Sequence, residues 1–225
     1  MNKLKDFWGV LKPMRWKQRI DHIFTYYKSI FVAIFCLLVV ISIGVNACRR
    51  NANPPLYRGA LIGFNLPDRA KNYLTDDLQT VLDGADSKRP VILREFAFRD
   101  IEDPQSIKVN QTSYYQITTL ISGQELEYAL LDEHSWELLK DGFFFADLQT
   151  LLPQSQIARL APYLQYVKDP ETGESVALGI DISHLPFIKQ NTLGDTPVYL
   201  AFPGNTQNND FHAQFIAHLE QWNNN

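Results

Sequence analysis

Residues 56–98 read LYRGALIGFNL (56–66), a turn at Pro67-Asp68, DDLQTVL (76–82) running to Gly84, and PVILREFAF (90–98). The outer pieces are runs of aliphatic and aromatic residues closed by turn formers, the pattern of β-strands. The middle piece spaces Leu78, Val81 and Leu82 as one helical face, and the glycine after it is a stop signal. Strand, helix and strand in that order form the unit of α/β layers.

The alternation continues downstream. SYYQITTLIS (113–122) predicts a helix stopping at Gly123, LEYALL (126–131) a strand ending at Asp132-Glu133, and SWELLK (135–140) a short helix closed by Asp141-Gly142. SVALGIDI (175–182) and TPVYLAF (196–202) read as further strands. Asn209–Trp222 is the clearest helix, with Phe211, Phe215, Ile216 and Leu219 on one face. The expectation is one three-layer α/β domain over residues 56–222 with a mostly parallel sheet. About 170 residues suffice for a single core. No internal repeat is visible, and only the tail 223–225 is low in complexity.

Upstream lies SIFVAIFCLLVVISIGVNA (29–47), with no charge between Lys28 and Arg49. At 1.5 Å per residue it spans roughly 28 Å, close to the thickness of a bilayer's hydrocarbon core. A buried core helix is seldom uncharged over that length with basic clusters at both ends, so residues 29–48 are expected to cross a membrane. Asn51-Ala52-Asn53-Pro54-Pro55 then reads as the end of a linker over 49–55, two prolines preventing helix continuation.

The charges set the orientation. The chain holds 21 Lys+Arg and 25 Asp+Glu, a net charge of -4. Residues 1–28 carry seven basic side chains against Asp6 and Asp21, net +5, and residues 51–225 carry 12 basic against 23 acidic, net -11. Positive-inside bias places residues 1–28 in the cytoplasm and the α/β domain outside, as a single-pass protein of the cell membrane. The acidic domain argues against nucleic acid as a partner. In the stub, Phe7, Trp8, Val10, Leu11, Met14 and Trp16 alternate with Lys and Arg, as in a segment lying on an anionic leaflet, with Pro13 interrupting it. Tyr26-Tyr27 stand where interfacial aromatics belong. Lipid bilayer is the first partner expected, and retention and orientation are the stub's roles.

There are 2 Cys. Cys36 falls within the apolar run, and Val45-Asn46-Ala47-Cys48 resembles the lipobox of bacterial lipoproteins, departing from it at Asn46. Lipidation of Cys48 after cleavage therefore stands beside an uncleaved anchor, which the long basic n-region and long apolar stretch favour. The outer domain has no cysteine and, at its size, needs no disulfide.

Two further stretches carry a resemblance. ISGQELEYALLD (121–132), then LLKDGF (138–143) and FADL (145–148), with the closing run Pro197–Leu219, follow in an order that resembles one lobe of the type 2 periplasmic solute-binding fold. Tyr-Tyr-Lys before a single apolar helix is similar to small uncharacterised anchored proteins of Firmicutes. The resemblance implies a ligand cleft beside the strand ends and a transporter or another envelope protein as partner. The chain departs from the family in length, since no second lobe is present to enclose a small solute. The ligand is then large and bound on an open surface, or binding has been lost.

Catalytic motifs are absent: the sequence has no G-x-S-x-G elbow and no G-x-x-x-x-G-K-[ST] or G-x-G-x-x-G cradle. Asp132-Glu133-His134 are adjacent and cannot all reach one ion, so a helix cap is the simpler reading. His212 and His218 fall on different faces of the last helix. Asp181-Ile182-Ser183-His184 puts an acid, a serine and a histidine together, but triads assemble from distant segments. Asn110-Gln111-Thr112 matches a glycosylation acceptor by pattern only. Tyr114-Tyr115 and Phe143–Phe145 offer a ring to a partner, with core packing as the default. In α/β sheets ligands sit at the carboxyl ends of strands, which selects Asn65, Asp68, Arg99, Asp132 and Asn205 as ligand-binding candidates; no catalytic residue, metal or cofactor is expected. The sequence thus leads to a non-enzymatic, membrane-anchored, extracytoplasmic binding or accessory module of the bacterial cell envelope. Two alternatives stay open: a reduced-size lipid-anchored solute-binding protein of an ABC transporter, and an envelope hydrolase using Asp181 and His184.

Overall fold

The computed structural model describes residues 28–52, 54–84, 88–99, 104–142, 144–170, 172–192, 196–206 and 208–222. Residues 1–27, which hold almost all of the basic stub, and the 223–225 tail lie outside them. The chain forms two compact units, Met1–Asn53 and Pro54–Asn225.

The first unit contains helix α1, Lys28–Ala52. Its 25 residues extend beyond Arg49 and Arg50, so the linker expected from residue 49 is shorter than the sequence suggested. Proline cannot supply the N–H that a further turn needs, and the two prolines at 54–55 come next. All described side chains of α1, residues 32–45, are exposed, with Phe35 at 67%, Val40 at 65% and Ile43 at 64%. No helix among the described residues is long and apolar enough to cross a membrane. The described side chains of α1 cover only about 21 Å of helix, whereas the uncharged run in the sequence continues on both sides of them.

The second unit is mixed α/β. Its strands are β1 (Tyr57–Ile62), β2 (Val91–Phe96), β3 (Tyr128–Asp132), β4 (Leu164–Lys168), β5 (Ser175–Asp181) and β6 (Val198–Ala201). They form one 6-stranded sheet in the order β2-β1-β3-β6-β5-β4. Helices α2 (Asp68–Asn72) and α3 (Leu78–Asp83) follow β1, joined by a π-helical turn at Tyr73–Asp77. Helix α4 (Pro104–Ser122) follows β2 and α5 (Glu133–Leu139) follows β3. Then come α6 (Leu148–Leu151), α7 (Gln154–Leu160), α8 (Pro186–Asn191) between β5 and β6, and the last helix α9 (Asn209–Glu220).

The expected mostly parallel sheet needs correction. Only β2-β1-β3 is parallel; the β3-β6, β6-β5 and β5-β4 pairings are antiparallel. Two local features reverse the chain. Residues 169–174 close a β4-β5 hairpin in which Asp169 N donates to Glu174 O at 2.8 Å, with Gly173 at φ +74°. After β5, Ile182 N donates to Val198 O at 2.9 Å and Val198 N donates to Ser183 Oγ at 2.9 Å. The first residue of β6 is thereby fastened to the end of β5, and β6 can only run back.

Both faces of the sheet are covered, which explains why strands β1 and β3 are apolar at nearly every position. Tyr57, Leu61, Tyr128 and Leu130 face a core shared with Leu74, Leu78, Phe187, Phe215 and Leu219. Ala60, Ile62, Ala129 and Leu131 face another core with Ile117 and Ile121 of α4 and Trp136 and Leu139 of α5. The first core depends on a glycine. A Cβ at Gly59 would stand 2.0 Å from Cζ of Tyr128, a ring that is fully buried and stacked on Tyr57 at 5.1 Å. Gly59→Ala is therefore expected to lower stability by about 1–3 kcal/mol, the usual cost of overpacking, read as a shift of the urea midpoint.

Candidate functional site

The strand directions decide which side chains can share a site. The carboxyl ends of β1, β2, β3 and β5 and the start of β6 lie at one end of the sheet, as the pairs Ile62↔Phe96, Ile62↔Leu131, Asp132↔Val198 and Asp181↔Tyr199 show. Asn65, Asp68, Arg99 and Asp132 belong to that end. Asn205 does not: β6 is antiparallel, so the residues after it emerge at the opposite end, where Asn205 Nδ2 donates to Ile121 O at 2.5 Å.

The four remaining candidates do not assemble into one cleft either. Asn65 and Asp68 are exposed. Arg99 is exposed, and its main chain is clasped by buried Asn110, whose Oδ1 accepts from Arg99 N at 2.9 Å and whose Nδ2 donates to Arg99 O at 2.8 Å. That clasp also removes Asn110 as a glycosylation acceptor. Asp132 caps α5, its Oδ1 accepting from Ser135 N at 2.8 Å, which is the capping role the sequence suggested. At the β1-β3 end a Cβ on Gly63 would lie 2.2 Å from Asp132 Oδ1 and 2.3 Å from Ser135 Oγ, so these side chains fill the crevice where a ligand would sit.

The concave site at this end lies instead beside β5. A cleft of about 440 Å³ is lined by Asp181, Ser183, His184, Ile188, Lys189, Thr192 and Thr196. Its geometry answers the question raised by the Asp-Ser-His cluster. Asp181 Oδ1 accepts from Ser183 N at 2.9 Å and from Ser183 Oγ at 2.5 Å, while the same hydroxyl accepts from Val198 N. Ser183 Oγ is thus held on both sides in the turn that ends β5. His184 Nδ1 lies 3.2 Å from Asp181 O; a carbonyl only accepts, so Nδ1 carries the proton and Nε2 is left as an acceptor in the neutral ring. The ring stacks on Tyr163 at 3.7 Å. His184 therefore bonds the main chain of Asp181 rather than Ser183, and a nucleophile paired with its base is not what the cluster forms. What the cleft offers is one carboxylate, one exposed ammonium from Lys189, an imidazole acceptor and three hydroxyl-bearing side chains around Ile188. Sequence reasoning reached Asp181 and His184 but not Lys189 and Thr192 of the α8 segment, because that helix was not read, nor Thr196, which was read only as the start of a strand.

A second polar cluster sits at the opposite end and is buried. Tyr57 Oη lies 2.5 Å from His212 Nδ1, Thr206 Oγ1 lies 2.9 Å from His212 Nε2, and Asn208 Nδ2 donates to Glu127 Oε1 at 2.7 Å. Thr206 Oγ1 donates to Glu127 Oε2. Having spent its one proton on Glu127, Thr206 can only accept from His212, so Nε2 carries the ring proton and Nδ1 accepts from Tyr57. The chain of donors then runs one way, Tyr57 to His212 to Thr206 to Glu127. Burial pushes the His212 pKa down to about 4 and holds the Tyr57 and Tyr128 phenols well above their usual value. Burial also lowers His218, whose ring stacks on Tyr73 at 3.9 Å. The two histidines of α9 thus serve different neighbours, as their spacing implied. Among the described residues, no group of His, Cys, Asp and Glu is arranged to hold a metal ion.

A third concavity, a groove of about 640 Å³, runs between β2 and α4 and is lined by Arg94, Phe96, Thr112, Tyr115, Gln116, Thr119 and Leu120. Tyr115 is 70% exposed, whereas Phe145 is buried at 4%; Phe143 lies outside the described residues.

The buried histidine predicts a pH dependence with a definite sign. His212 takes up a proton below about 6.5 when unfolded but only below about 4 when folded. The unfolded state therefore binds more protons between these values, and stability is lost as pH falls through the window. The loss due to His212 is about 3 kcal/mol when complete. In denaturation of the full chain in neutral detergent from pH 7 to pH 4, the stability gap between wild type and His212→Gln is expected to narrow steadily towards acid.

No family model matches the chain, and neither a curated protein nor a solved structure matches it.

Proposed function

We propose that this chain is a single-pass membrane protein whose Pro54–Asn225 unit acts outside the cell as a non-enzymatic binding module. The observation that carries the proposal is α1: every described side chain from 32 to 45 is exposed, and ten large apolar residues between Val32 and Val45 are bare. An α-helix satisfies its own backbone, so a helix apolar on all sides is suited to lipid. The uncharged run on either side of that stretch and the basic residues before it support the same reading and its orientation. The long basic segment before the apolar run, and the length of that run, favour an uncleaved anchor over lipidation at Cys48. The side chain of Cys48 itself lies outside the described residues.

The cleft beside β5 is the ligand site in this reading. Its volume lies within the range usual for small-molecule pockets, and its lining mixes a carboxylate, an ammonium and hydroxyls. Ser183, tied into its turn, supports binding rather than hydrolysis. A role beside a transporter or another envelope protein fits this reading.

The anchor is tested by fractionation. The chain is expected to stay in the membrane pellet after alkaline carbonate and to keep an intact N-terminus by mass spectrometry. Protease added to spheroplasts is expected to digest the α/β unit. Release into the soluble fraction without detergent refutes the anchor, and protection of the unit from protease refutes the orientation.

A further inference from the structure

The cleft beside β5 carries two opposite charges that do not neutralise each other. Asp181 spends Oδ1 on Ser183 N and Ser183 Oγ, and its Oδ2 takes no bond from a described residue. His184 is held by Nδ1 on Asp181 O and by its stack on Tyr163 at 3.7 Å, which leaves Nε2 as a second acceptor in the same cleft. Lys189 lies one turn into α8, is exposed, and pairs with no carboxylate among the described residues. The acceptor end has further negative charge behind it. Tyr199 stands opposite Asp181 in the ladder, and its phenol pKa is raised by burial first and then by Asp181, Glu133 and Glu137. Of these, Glu137 is paired with Lys140 and Glu133 is exposed.

A ligand of this cleft has to answer both poles. An inorganic anion would meet Lys189 but be repelled by Asp181. A neutral sugar would cover both charges and pair neither, which costs their desolvation. Among the described residues no group of His, Cys, Asp and Glu is arranged to hold a metal ion. A molecule with an ammonium at one end and a carboxylate at the other satisfies all three side chains. Its ammonium has three N–H donors, enough for Asp181 Oδ2 and His184 Nε2 together, and its carboxylate accepts from Lys189 Nζ. Resting on the reading of this cleft as the ligand site, we propose that it takes a free amino acid, with the ammonium against Asp181 and His184 and the carboxylate against Lys189.

The test uses the full chain in neutral detergent and isothermal titration. The probes are the standard free L-amino acids, each also as its N-acetyl and its amide form, with inorganic phosphate and glucose beside them. At least one free amino acid is expected to bind, and blocking either of its ends to weaken it about tenfold. Lys189→Met, a change at an exposed side chain, is expected to leave the urea midpoint unmoved and to lower the free acid to the affinity of its amide. The amide itself is expected to bind wild type and variant alike. Asp181→Asn keeps an oxygen for Ser183 and is expected to weaken free acid and amide equally. Blocked forms that bind as tightly as the free acid overturn the proposal alone. So does binding of phosphate or glucose in place of any amino acid where Lys189→Met weakens it, which keeps the cleft as a ligand site. Amino-acid binding that Lys189→Met leaves unchanged, or no binding by any probe, overturns the reading of the cleft as well.

Discussion

The fastening of Val198 to the end of β5 is the constraint on which the rest of the domain depends. Its N–H reaches Ser183 Oγ and its carbonyl accepts from Ile182 N, and Ser183 is itself held by Asp181. This turn reverses β6, so that β6 meets β3 antiparallel and leaves the sheet at the end where β1 and β3 begin. Thr206 and Asn208 are carried to Glu127 in consequence. The same turn, continued by α8, walls the cleft beside β5. One polar knot therefore sets both ends of the sheet.

At the far end the same economy holds. Glu127 is 6% exposed with no basic residue bonded to it among the described contacts, and neutral donors from Thr206 and Asn208 take the place of an ion pair. A buried carboxylate left without such donors would be costly. His212 completes the arrangement by linking Thr206 to Tyr57, which stacks on Tyr128 over Gly59. Packing and hydrogen bonding are coupled here: the aromatic pair needs a glycine beneath it, and the histidine needs both ring nitrogens occupied to stay neutral in the core. Tyr128 Oη is the exception in this cluster, buried without a hydrogen-bond partner among the described residues.

The two units pose different physical problems. The domain hides its apolar surface in two cores, one on each face of the sheet. The described side chains of helix α1, residues 32–45, are all exposed instead. In the proposed reading a bilayer takes up that apolar surface, and the acidic unit carries the cleft beside β5.

Much of the fold was legible in order of residues, and the misses have identifiable causes. Strands β1, β2, β3, β5 and β6 and helix α9 were readable because apolar residues recur at strand or helix period over whole elements and Gly, Pro or Asp close most of them. The β4 strand was not read, although DPETGE after it is turn text; only Leu164 and Val167 of its five residues are buried, too little pattern to stand out. Helices α7 and α8 went unread at seven and six residues, despite Pro153 and Pro186 at their starts. Helix α4 begins at Pro104, well before the apolar spacing that announced it, because Ile107 is exposed and gives no stripe there. What the sequence by itself determined is the apolar run, the charge asymmetry around it and the α/β class, since these follow from local composition and period. Strand direction, the displacement of Asn205 from the other candidates, and the recruitment of Lys189 and Thr196 to the cleft were decided by tertiary structure alone. They depend on hydrogen bonds between residues far apart in the chain, such as Ser183 with Val198, and no local pattern records which distant partner a turn will meet.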